Sequence, residues 1–141
     1  MVEQVARLSD WRPRFSSYLI DVAFKPFAWG ENDCAMHPGN AVLAMTGVDL
    51  VADFRGRYFT ELGATRALIK YGAGDLASTL AQRLPEIDPR DAVCGDVVIL
   101  DGPLGATGGL RLKTCISAVT PNGTRPYALD LVTRAFQVGV R

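Results

Sequence analysis

At 141 residues, with fifteen Lys and Arg against fifteen Asp and Glu, the chain has the length of one ordinary domain (1–141) and no net charge. That balance gives no overall field for nucleic acid or an anionic membrane, and a hydrophobic fraction of 48% excludes extended disorder. Three cysteines without Cys-x-x-Cys spacing and one histidine exclude a complete disulfide framework and offer little for zinc, so no metal or cofactor is expected. In chain order, Val5, Leu8, Trp11, Phe15, Tyr18, Leu19 and Val22 predict one apolar helical face. Ser9 or Asp10 would cap it, and Pro13 would lie in its first turn. Lys25-Pro26 ends this element. Gly47 stops a second helix, Thr60 caps a third carrying Leu62, Ala67, Leu68 and Tyr71, and Asp75 caps a fourth from Leu76 to Leu84. From residue 92 the pattern turns to strands: Val93 to Leu100 with a bulge at Gly95, a second within Leu110–Val119, a third over Tyr127–Leu131 and a last over Thr133–Val140. Asp101 to Gly109, with four glycines and one proline, reads as a loop, and Pro121-Asn122-Gly123 as a turn. Helices first and strands last predict an α+β domain with helices packed on a small antiparallel sheet.

The stretch from Pro26 to His37 carries the chemistry. It sets Cys34 after an Asn32-Asp33 pair and near a helix start, whose unpaired N–H groups and partial positive charge can favour a thiolate. Cys34 is the candidate nucleophile; the plain alternative is a small buried hydrophobe. Two helix starts are open, one at Asp33 and one near His37 that leaves Cys34 in the preceding loop. The second keeps Pro38 in the first turn. His37, the single imidazole, is the candidate base at i,i+3, against a structural histidine as the plain reading. Asn32 or Asp33 reads as a turn or cap residue, Asp96 as the residue that fixes the bend after Gly95, and Cys94 and Cys115 as strand packing. Trp29 packs at the helix start and is able to border a groove. Arg55, Arg57 and Tyr58 form a small basic aromatic segment, either a partner contact or a solvated surface with Tyr58 partly packed.

Pro26-Phe27-Ala28-Trp29-Gly30 followed by Asn32-Asp33-Cys34, then Ala44 to Asp49, Arg55 to Tyr58, Gly95 to Val98 and Thr133 to Val138, resembles the NlpC-like cysteine peptidase superfamily in its small tailed-phage and gene-transfer-agent tail versions. The resemblance implies a circularly rearranged papain-like fold, with Cys34 as nucleophile and a histidine on the sheet near Gly109 to Leu112. No histidine stands there. The expectation is therefore a catalytically degenerate, tail-associated structural or assembly protein at the distal tail or the tip and hub. Its partners would be tail tip, hub or distal tail proteins, with no nucleic acid and no membrane insertion. The alternative is a peptidoglycan amidase or endopeptidase that uses Cys34 and His37 on a stem peptide during cell entry. Met1 to Arg7 has no apolar run of a signal peptide, so synthesis in the host cytoplasm and a place in the virion tail after assembly are expected.

Overall fold

The computed structural model describes residues 5–140. Four helices come first: α1 (Trp11–Val22), α2 (Met36–Thr46), α3 (Glu61–Tyr71) and α4 (Leu76–Ala81). Six strands follow, β1 (Glu86–Ile87), β2 (Val97–Gly102), β3 (Gly105–Arg111), β4 (Ile116–Thr120), β5 (Gly123–Tyr127) and β6 (Val132–Phe136). They form one sheet in the order β1-β6-β2-β3-β4-β5, with every neighbouring pair antiparallel. The α+β expectation of helices against a small antiparallel sheet is what the chain adopts. No helix among the described residues is long and apolar enough to cross a membrane.

Alternation along the strands splits the core in two. Val97, Ile99, Leu110 and Phe136 face Phe15, Val42, Met45, Leu80 and Leu84, which closes the layer between sheet and helices. Val98, Leu100, Ile116, Ala118 and Ala135 form a second cluster, with Tyr127 and Val132 packed against it. A third cluster, Met36, Val51, Phe54, Tyr58 and Ala67, ties α3 and the long α2–α3 connection to the start of α2.

Local signals act where they were read. Thr60 Oγ1 accepts from Gly63 N and Asp75 Oδ1 from Ser78 N, and Gly47 ends α2 in the left-handed conformation at φ 79°. Asp10 precedes α1, but its carboxylate accepts from Arg14 Nε instead of capping the helix. Leu84 is fully buried although α4 ends at Ala81.

The strands needed correction. Val93 to Asp96 is a bend instead of a strand: Asp96 Oδ2 accepts from Val93 N, and Oδ1 accepts from Val138 N and Arg7 Nη2. Cys94 and Cys115 consequently lie just before strands, half-buried, and not within them. The glycine-rich stretch read as a loop is the β2–β3 hairpin plus most of β3. Its pairing runs from Gly102↔Gly105 to Val97↔Leu110. The third strand is Gly123–Tyr127, Leu129–Leu131 is a 3-10 turn, and the last strand closes at Phe136. Glu86–Ile87, too short to leave a periodic signal, pairs with β6.

Candidate functional site

Asp33 is the knot that shapes the region. It is fully buried, and its Oδ1 accepts from Ala35 N and Met36 N, both at 2.9 Å. Oδ2 accepts from Gly30 N at 2.8 Å and from the Tyr58 hydroxyl at 2.6 Å. One carboxylate thus satisfies orphan N–H groups at the start of α2, closes the Trp29-Gly30 turn and fastens a tyrosine twenty-five residues along the chain. Gly30 sits at φ 83°, and a side chain there would run into the Tyr58 carbonyl oxygen. Of the turn and cap readings, Asp33 fills the turn: its carboxylate holds the turn that enters α2, which begins just before His37 with Pro38 in its first turn. Tyr58, read as partly packed, is buried at the centre of this knot. Arg55 beside it donates to Asp49 and to Asn40 Oδ1.

Cys34 occupies the turn just before α2. Its carbonyl oxygen accepts from Gly108 N on β3 at 3.1 Å, so this strand runs directly against the turn. Only a glycine allows that approach: a Cβ at position 108 would overlap the Cys34 carbonyl oxygen and stand 2.9 Å from Pro38 Cγ. Ala106, two residues earlier on the same face of β3, lines a cavity of about 270 Å3 together with Cys34, Trp29, Phe54, Leu68 and Leu76. Burial, and then the Asp33 carboxylate, push the Cys34 thiol up to about 12, outweighing the N–H groups of Cys34 and Ala35 that favour the thiolate. The thiol is therefore protonated at neutral pH. Burial, with the acid beside it, wins over the helix start.

His37 turns the other way. It is fully buried, with Nδ1 2.6 Å from the Tyr18 hydroxyl on α1 and Nε2 3.1 Å from Ser117 Oγ on β4. In a neutral imidazole one nitrogen donates and the other accepts, so both are engaged. Burial pulls its pKa down to about 4, with Ser117 opposing. The structure does not bring the two candidate catalytic residues together: Cys34 looks into the cavity, His37 into the layer between helix and sheet. On β3, Gly108 meets the Cys34 carbonyl and Ala106 shares the cavity wall with Cys34, a little before the stretch where the resemblance implied a histidine. No side-chain base among the described residues lies within hydrogen-bond distance of the Cys34 sulfur. No cluster of three metal-ligating side chains occurs among the described residues either.

Trp29 does line the cavity, as a residue able to border a groove, but the sequence did not reveal the Asp33–Tyr58 bond or the α3, α4 and β3 walls of the cavity. Neither has a local signal, because the residues involved are far apart in the chain and meet only through the packing of α3, α4 and β3. Fold and site together define a small α+β domain whose helix-start cysteine lies, protonated, on the wall of an apolar cavity. The chain belongs to the family described as Domain of unknown function (DUF6950), whose model matches residues 6–138. No curated protein matches it significantly.

Proposed function

We propose that this protein is a tail-associated structural or assembly component of a phage or phage-like particle, built on a circularly rearranged papain-like fold whose cysteine no longer catalyses. It is made in the host cytoplasm and joins the distal tail or the tip and hub, where its contacts are tail tip, hub or distal tail proteins. The carrying observation is the separation of Cys34 from His37. Cysteine catalysis needs a base to take the thiol proton and an acid to protonate the leaving amine. Here the thiol pKa is pushed up to about 12, and both imidazole nitrogens are bonded to Tyr18 and Ser117. Tail association itself rests on the likeness of the sequence blocks around Cys34, Arg55 and Gly95 to small tail proteins. Quantitative mass spectrometry of purified particles, with and without the gene, tests it. The protein should co-purify at a fixed copy number, and its deletion should yield particles with defective tails; absence from particles together with normal tails refutes the reading.

One observation favours a second reading, a thiol hydrolase of peptidoglycan stem peptides: Cys34 does line an open cavity. That reading requires a histidine from a partner chain. Release of soluble muropeptides by assembled particles, abolished by Cys34→Ala, would establish it in place of the first.

A further inference from the structure

The cavity beside Cys34 has a chemistry of its own. Its walls are carbon-rich, from Trp29, Phe54, Leu68, Leu76 and Ala106, and Leu104 stands at the β2–β3 hairpin with 43% of its surface exposed. Both ionisable carboxylates that line it, Glu61 and Asp75, are exposed, and no Lys or Arg lines it. Ser78 N and Oγ donate to Asp75 and, with the nearby Arg134 guanidinium, hold its carboxyl below the usual carboxylate range. Glu61 has no ion-pair partner among the described residues. A volume of about 270 Å3 lies below the roughly 300–1,000 Å3 of pockets that enclose whole drug-sized ligands, and suits one large side chain.

We infer that this cavity is a docking socket for a partner polypeptide, taking one large apolar side chain flanked by lysine or arginine. The apolar anchor fills the space between Trp29, Leu76 and Ala106, while the flanking cations meet Glu61 and Asp75 at the mouth. Buried apolar anchors of this kind carry most of the energy at protein interfaces, and rim charges mainly select the partner. A carboxylate-rich cell-wall peptide fits poorly, because it would bring like charge to the two acids and leave the apolar walls uncovered. The inference rests on the non-hydrolytic reading of the cavity, but its test uses the isolated chain and does not depend on particle membership.

The probe is a capped pentapeptide with one phenylalanine between two lysines, titrated into methyl-labelled protein and followed by NMR. Saturable shifts should be confined to Leu68, Leu76, Leu104 and Ala106. Replacing the lysines by glutamates should weaken binding about tenfold or more at low salt, and Glu61→Gln should weaken it by about threefold. Ala106→Phe should abolish binding by filling the socket. Because that substitution could disturb folding, Glu61→Lys on the exposed start of α3 gives a second test: it should shift preference toward the glutamate-flanked peptide. No saturable binding by about 1 mM, equal binding of both peptides, or an unchanged preference in Glu61→Lys overturns the proposal. So does tighter binding of a muropeptide at the same methyl groups.

Discussion

Cys34 and His37 are three residues apart at one helix start, yet they occupy opposite environments. Cys34 lies on the wall of an apolar cavity, where burial and then the adjacent Asp33 carboxylate keep its thiol protonated. His37 lies fully buried between helix and sheet with a partner for each ring nitrogen. The difference teaches that i,i+3 spacing places two residues near each other on a helix only when both are helical. Cys34 belongs to the turn that Asp33 and Gly108 hold, so its direction is set by the sheet and not by α2.

Breaking the hinge between the two environments should cost most. Asp33→Ala strands the N–H groups of Gly30, Ala35 and Met36 and the Tyr58 hydroxyl in the interior, and should cost about 4 kcal/mol in urea unfolding. It should also loosen the cavity, through Tyr58.

The His37 side sharpens the comparison through pH. Its folded pKa of about 4 lies below the 6.5 of a free imidazole, so the unfolded chain takes up a proton first as pH falls. This contribution to stability should be complete above about pH 6.5, decline toward about pH 4 and level off below it, a loss of about 3 kcal/mol. His37→Leu should remove this slope in denaturation measured across the range, while the acid loss from Arg-paired carboxylates such as Asp88 persists at lower pH.

Gly108→Ala tests the strand that holds the Cys34 turn. Its Cβ must displace the Cys34 carbonyl or Pro38, and the expected cost is about 2 kcal/mol by chemical denaturation. The smallest effect belongs to the thiol itself: Cys34→Ala should change stability by about 1 kcal/mol or less, since it removes one atom beside an existing cavity. In a Cys94→Ser, Cys115→Ser background, alkylation of Cys34 should accelerate about tenfold per pH unit from 8 to 10 without levelling off. A plateau near pH 8.5 would mean that the thiol titrates as a free one and that burial does not raise its pKa.

Much of the frame was legible because its signals are local. Thr60 and Asp75 cap helices through side chains that reach three residues ahead, and Gly47 stops α2 because it readily takes a positive φ. Asp33 as a turn residue and Asp96 as the fixer of a bend follow from the same short-range chemistry. Gly105 to Gly109 was not legible as a strand. Glycine weakens an isolated strand, and the reason for it here, the close approach of β3 to Cys34 and β4, exists only after folding.

The sequence by itself determined the α+β order, the caps at Thr60 and Asp75, the stop at Gly47 and the supply of one imidazole, because each depends on neighbouring residues or on composition. Tertiary structure alone decided that the thiol faces a cavity while the imidazole faces Tyr18 and Ser117. Direction and burial are set by which distant elements pack on a turn, and the protonation states of Cys34 and His37 follow from that burial.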